Sequence, residues 1–337
     1  MLLTHTNSVY SEDIALLDYI TYPQYVHQVN NGGGPVAKQG IRMVCEELVN
    51  YVLQGKHGAA EGTFDFLREL TKSEFCKVGL ILAAGGTRWT GHLTTVKWSD
   101  KYPTYRLPVM AENQIYAGYI ANKIGEFEYI STDATSCISG HSAWYITRNM
   151  MKAGLLDTVV VITVDDGTSE DYLSIFGEFG LSKLVDEENN PDIIKFRCGQ
   201  ACNISVFETG YSAWSNEHKP LAKIEDMYIA AETHHTPLGI SASGTGYKKV
   251  MDRVYTKGID FVKTHSTFSE DNKIEEILIK EKFGDIRTVN YKLRIGHTMG
   301  ASTAVETALA IQEESGRFLS LGAGMGNVFS SVVVEII

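Results

Sequence analysis

At 337 residues, 44% of them hydrophobic and 21% charged, the chain can bury two cores or one large duplicated core and has the composition of a globular protein. A net charge of −11 opposes phosphate backbones and anionic lipid, so neither a nucleic acid nor a membrane partner is expected unless a local basic face overrides it. No apolar run approaches the length of a membrane span and Met1 opens no basic, apolar leader, so a cytoplasmic protein is expected.

In chain order, Asn31-Gly-Gly-Gly-Pro35 reads as a turn. Short β-branched or apolar runs then recur between segments of helical period: Val78 to Ala83, Glu128 to Ser131, Thr158 to Val164 and Asn203 to Phe207. A polar, turn-rich stretch near Ser212 to Lys219 follows. A second set of strands comes after it, at Ala222 to Ile229, Phe261 to Lys263, Arg287 to Asn290, Leu319 to Leu321 and Val328 to Ile336. Helices are expected over Ala143 to Ala153, Lys248 to Tyr255 and Ala301 to Glu313. Strands alternating with helices predict α/β layers, and the balance of the two sets predicts two similar halves, residues 1–212 and 213–337. The five cysteines, Cys45, Cys76, Cys137, Cys198 and Cys202, are odd in number and lack C-x-x-C spacing, which fits neither a disulfide framework nor a zinc site.

Cys137 lies where a strand through Tyr129-Ile-Ser-Thr turns into a helix beginning near Ser139. The free N–H groups of a helix start favour thiolate and can cradle an oxyanion. Local context reads equally well as a buried small residue. Two histidines at strand ends add weight: His265 in Lys263-Thr-His265-Ser-Thr267-Phe-Ser269, and His297 in Lys292-Leu-Arg-Ile-Gly296-His297-Thr-Met-Gly300-Ala301-Ser302. Either alone reads as an ordinary structural histidine; what counts is the combination with a cysteine.

In order, spacing and context these residues resemble the β-ketoacyl synthase family, the condensing enzymes of the thiolase superfamily, over nearly the whole chain. Val78-Gly-Leu-Ile-Leu is similar to the family's second strand and Asp133-Ala-Thr-Ser-Cys137 to its D-T-A-C nucleophile turn. Lys263 through Thr267 resembles the H-G-T motif, Lys292 through Ser302 the K-x-x-x-G-H-x-x-G-A motif, and Gly322-Ala-Gly324-Met325-Gly326-Asn327 the glycine-rich loop before the last strand. A Cys-His-His set resembles elongating rather than initiating synthases.

The resemblance implies an α/β, thiolase-like fold of two similar halves in five layers, α-β-α-β-α, and a decarboxylative Claisen condensation in fatty acid or polyketide-type biosynthesis. Cys137 would hold the acyl chain as a thioester, and His265 and His297 would stabilise the enolate formed when a malonyl-type carrier thioester loses CO2. The backbone N–H groups of Cys137 and Met325 would form the oxyanion hole. Lys292 and Glu306 would be a buried pair supporting the histidines, and Thr267 and Ser269 would line the pantetheine channel. No cofactor or metal is implied. The implied partner is an acyl carrier protein with phosphopantetheine-linked acyl and malonyl groups, docking on a basic face for which Lys101, Arg106, Lys248, Lys249 and Arg253 are candidates. A homodimer through Glu128 to Thr132 is implied, with a ketosynthase-like heterodimer open.

The pattern departs from the family at several points. Ser266 and Phe268 replace both glycines of H-G-T-G-T, Met325 stands where a gating phenylalanine is usual, and the chain between Ile311 and Phe318 is short. Phe196-Arg-Cys198-Gly-Gln200-Ala-Cys202 keeps only the outline of the family segment, so Cys198 and Cys202 read as packing residues. His235 and Thr236 would border the channel, with His234 and His235 read as structural. Two other readings stay open: a non-condensing acyltransferase passing the acyl group from Cys137 to an alcohol or amine, and a silent partner similar to chain-length factors.

Overall fold

The computed structural model of the chain describes residues 1–10, 63–72, 76–85, 113–166, 199–215, 218–237, 240–267 and 272–337. Its strands are β1 (Leu2–Tyr10), β2 (Val78–Ala83), β3 (Tyr129–Asp133), β4 (Thr158–Asp166), β5 (Gln200–Glu208), β6 (Ala222–Ala231), β7 (Phe261–Lys263), β8 (Arg287–Val289), β9 (Arg317–Gly324) and β10 (Val328–Ile336). The helices among these residues are α1 (Thr63–Thr71), α2 (Asn113–Ile124), α3 (Ser139–Lys152), α4 (Gly210–Ser215), α5 (Thr245–Arg253), α6 (Asn272–Phe283), α7 (Lys292–Ile295) and α8 (Ser302–Glu313).

All ten strands hydrogen-bond in the order β3-β2-β4-β5-β1-β6-β10-β9-β7-β8. The first five run 3-2-4-5-1 from the edge inward, and the second five repeat this as 8-7-9-10-6 from the other edge. Directions repeat as well: β2 is parallel to β3 and β4, β7 is parallel to β8 and β9, and β4–β5 and β9–β10 are antiparallel. The halves join where β1 meets β6, Leu2 opposite Lys223 and Leu3 opposite Ala222. Strands buried on both faces carry unbroken apolar runs, which is why Val-Gly-Leu-Ile-Leu-Ala is buried throughout in β2.

Helices α3 and α8 lie between the two halves. The first touches β2, β3 and β4 on one side and β6 and β10 on the other; the second touches β1 and β5, then β7 and β9. Residues Ser302 to Ile311 of α8 are all buried, as a helix enclosed on every side requires. Outside, α2 covers β2 and β3 with α1 against it, and α5 with α6 covers β6 and β10. Five layers result, α-β-α-β-α. Trp144 meets Phe207 edge-on at 5.0 Å in the inner core, while Tyr247 and Phe329 do the same at 4.9 Å beneath α5.

The two central helices approach at Gly140, where a Cβ would come within 2.7 Å of Ala304 Cβ and 2.8 Å of its backbone nitrogen. Gly140→Ala is expected to cost about 1–3 kcal/mol, because backbone cannot yield as a flexible side chain would. Urea unfolding checks this: the midpoint should fall at unchanged slope, and an unmoved midpoint would mean the helices part freely.

The sequence expectations place nine of the strands but miss β1, α1, α2, α6 and α7, and His297, expected at a strand end, instead follows α7. The Ser212 to Lys219 stretch, expected as a turn, begins inside α4, where Ser212 Oγ bonds Glu208 at 2.9 Å and Thr158 Oγ1 at 2.7 Å. Asn31 to Pro35, Cys45, Lys101, Arg106, Phe196, Cys198, Phe268 and Ser269 lie outside the described residues.

Candidate active site

Strand β3 delivers the chain into a 3₁₀ turn, Ser136–Ile138, that runs on into α3. Asp133 fixes this turn: one carboxylate oxygen accepts from Thr135 N–H (3.2 Å) and Thr135 Oγ1 (2.9 Å), the other from Ser142 Oγ (2.8 Å). Ser136 is forced to a φ of +52°, a left-handed conformation that a non-glycine residue holds only when its surroundings impose it. Cys137 follows, 8% exposed.

The thiol of Cys137 is pushed up from its ordinary range, first by burial and also by the negative charge of Asp165. Ser136 Oγ at 3.6 Å from Sγ, the Lys292 charge and the Met325 N–H pull the other way. The helix start was expected to favour thiolate. In the structure burial opposes that by raising the thiol's value, so Cys137 rests as a neutral thiol. The Met325 N–H nonetheless reaches the sulfur, and its approach depends on Gly324, where a Cβ would sit 3.3 Å from Cys137 N.

His265 and His297 come together from β7 and from the turn after α7, ring centroids 5.5 Å apart and planes at 84°. Both are buried. Met299 N–H donates to His297 Nδ1 at 3.0 Å and Ser302 Oγ lies 2.9 Å from the same atom. An accepting Nδ1 leaves the proton of the neutral ring on Nε2, as an outward donor. Burial, then Lys292 and other positive neighbours, holds both rings well below the ordinary histidine value, so both are neutral near pH 7.

Lys292 and Glu306 meet at 2.5 Å, both buried, and Lys263 binds the other oxygen of Glu306 at 3.1 Å. The His265 segment is held by its backbone: His265 N–H and Ser266 N–H donate to the two oxygens of Glu275 (2.7 and 2.8 Å), and Asn290 Nδ2 donates to Ser266 O at 2.9 Å. The His297 turn is tied across the halves, since one oxygen of Asp165 accepts from both Gly85 N–H and Gly300 N–H at 2.9 Å. Lys263, Glu275 and Asp165 went unremarked in the sequence. For Lys263 and Asp165 the one signal was a charged residue in a mainly apolar strand; Glu275 stands in α6 among five other charged residues and gave none.

The Glu275 carboxyl is pushed up to about 7, first by burial, against the pull of the two N–H groups and both lysines. A carboxyl raised in the fold adds stability that is complete below its ordinary range and lost as pH rises through about 7. Thermal melts should therefore drop by a few degrees between about pH 5 and about pH 8, relative to a Glu275→Gln variant that cannot ionise. Parallel curves for the two proteins would exclude Glu275 as the source.

Thr267 is half-buried at the end of the His265 segment, and Met325 exposes its thioether on the turn after β9. That turn is pinned to residues 232–237: Gly326 N–H donates to Pro237 O at 2.7 Å, Asn327 Nδ2 to Thr236 O at 3.1 Å, and Glu232 N–H to Asn327 O at 3.0 Å. The rings of His234 and His235, 4.1 Å apart and tilted by 40°, thus flank the Met325 turn. Of the expected basic face, Lys248 lies 3.9 Å from Glu281 and Arg253 packs over Tyr228, while Lys282 pairs with Asp252 nearby, so this face carries both signs. Cys76 and Cys202 are buried free thiols, and no metal-holding group of three or more His, Cys, Asp or Glu occurs among the described residues. No helix among them is long and apolar enough to cross a membrane.

No family model matches the chain, and no curated protein does. Solved structures do. A ketosynthase complex with its type II polyketide acyl carrier protein, AntDE:AntF, aligns at a TM-score of 0.75 with 14% identity, over 100% of this chain and 98% of the matched one. The ishigamide ketosynthase/chain length factor aligns at 0.70 with 15% identity over 100% and 98%. A β-ketoacyl synthase from Burkholderia phymatum aligns at 0.71 with 11% identity over 100% and 99%. With the repeated five-strand order and two helices enclosed between the halves, the chain has the thiolase-like fold of the ketosynthases.

Proposed function

We propose that the protein is a condensing enzyme that joins an acyl group held on Cys137 to a malonyl-type thioester with loss of CO2. The observation that carries this reading is the pair of buried histidines 5.5 Å apart, with the Cys137 turn packed against the Met299–Ala301 turn that follows His297. In the first step Cys137 Sγ attacks the carbonyl carbon of an acyl thioester, and the carrier thiol departs with the proton that Cys137 gives up. Met325 N–H, and that of Cys137 itself, would stabilise the oxyanion.

In the second step the malonyl carboxylate leaves as CO2 and its bonding electrons pass to an enolate whose oxygen accepts hydrogen bonds from the Nε2–H of His265 and of His297. A neutral imidazole suits this work, because it donates without surrendering its proton to a weak base. The enolate carbon then attacks the Cys137 thioester, and the thiolate leaves and regains a proton. Lys292 and Glu306 support His297 from beneath. Thr267 and Ser269 would contact the pantetheine arm, and residues 1–212 and 213–337 form the two halves, each supplying one side of the site.

The carrier would be a phosphopantetheine-bearing acyl carrier protein, a reading supported by the carrier in the AntDE:AntF complex. β3 ends the sheet and its residues are only half-buried, which supports pairing with a second copy there. Incubation with acyl and malonyl carrier thioesters tests the proposal by product: CO2 together with a carrier-bound 3-oxoacyl chain supports condensation. An ester or amide with no CO2 would replace it with acyl transfer to an alcohol or amine.

A further inference from the structure

Beneath the two histidines lies a charge that the Lys292–Glu306 pair does not require. Lys263 is fully buried on β7, two residues before His265. Its ammonium donates to Glu306 at 3.1 Å and to the carbonyl of Leu321 at 2.8 Å. Glu306 belongs to the helix after His297, and Leu321 to the strand that ends at the Met325 turn. One side chain therefore links the elements carrying His265, His297 and Met325.

We propose that Lys263 is a positioning residue for the condensation, acting through Glu306 as a second buried ammonium on one carboxylate and fastening these three elements at fixed spacing. The inference rests on the condensing reading above. Burial lowers the value of the Lys263 ammonium, against the pull of Glu306 and Glu275; while it holds its proton, two ammonium groups on one carboxylate leave an excess positive charge below the rings. The titratable and charged groups around the rings are Lys263 on β7, Lys292 on α7, Glu306 on α8, Glu275 on α6, Asp165 on β4 and His141 on α3. After burial, Lys292 and Lys263 both act to lower the values of His265 and His297. Lys263 thus helps keep both rings in the neutral form that donates to an enolate.

The sign of the effect follows. Neutral rings are required, so activity is lost as pH falls through their depressed values, and removing one ammonium moves that loss to higher pH. Lys263→Met removes both charge and hydrogen bonds; Lys263→Gln keeps a donor for Leu321 O without the charge, and serves if the first variant does not fold. Full-length protein with carbon-13-labelled histidine is titrated by NMR, the two ring signals being identified from His265→Gln and His297→Gln. Both Lys263 variants should protonate these rings about one pH unit higher than the parent, and the acid limb of malonyl-carrier decarboxylation should move with them. Alkylation of Cys137 by iodoacetamide should keep its pH dependence. Unmoved ring titrations in a folded Lys263 variant would overturn the role given to Lys263. Shifted rings in a protein that never decarboxylates malonyl carrier would instead overturn the condensing reading and leave the electrostatic role intact.

Discussion

Cys137→Ala is expected to abolish acyl loading and lower condensation by about 10,000-fold or more, because the variant has no thiol at the start of α3 to form the thioester. The other described thiols do not substitute: Cys76 is buried with its Sγ on Ser212 Oγ, and burial pushes the Cys202 thiol far above its ordinary range within β5. The histidines should keep their places, since Met299 N–H and Ser302 Oγ hold the His297 ring and Glu275 holds the backbone at His265. The alanine variant should therefore still release CO2 from malonyl carrier, giving acetyl carrier in place of an elongated chain. Separate assays of loading and CO2 release check the separation. Loss of both together would mean that Cys137 also organises the malonyl site.

His297→Ala should act on the opposite half of the reaction. Removal of one preorganised donor to a developing oxyanion costs about 100- to 1,000-fold, and the fall should appear in CO2 release and elongation. Acyl loading on Cys137 should stay within about tenfold, because the oxyanion of that step faces Met325 rather than the imidazole. Single-turnover loading followed by malonyl addition distinguishes the two steps. A loading defect as large as the elongation defect would make His297 the base that activates Cys137, a role its geometry does not require. The same variant strands Met299 N–H and Ser302 Oγ without their acceptor, so some loss of stability is expected alongside.

Much of the molecule was legible because its chemistry is local. Strands such as Val78–Ala83 and Val328–Ile336 are buried runs of branched residues, and the helix start behind Cys137 follows from small residues after a strand. β1 was not legible: Leu-Leu-Thr-His-Thr-Asn-Ser-Val-Tyr carries too many polar residues to read as a strand, and pairing with β5 and β6 overrides propensity. The site divided in the same way. Cys137, His265, His297, Lys292 and Glu306 stand in motifs, and the structure brings them together. Asp165, Glu275 and Lys263 act across more distant elements, Asp165 bonding a glycine 135 residues away, and no spacing rule announces them. The state of the Cys137 thiol was only half legible for a related reason. Helix position is written in the sequence, but desolvation depends on the whole fold around the sulfur.

The most direct test of the account is intact-protein mass spectrometry after exposure to a panel of acyl carrier thioesters and then to malonyl carrier, with Cys137→Ala in parallel. The account predicts an acyl mass on Cys137 that disappears as CO2 and a longer carrier-bound 3-oxoacyl product form, and no adduct on the alanine variant. An acyl adduct that persists through malonyl addition, or no adduct with any chain offered, would contradict it.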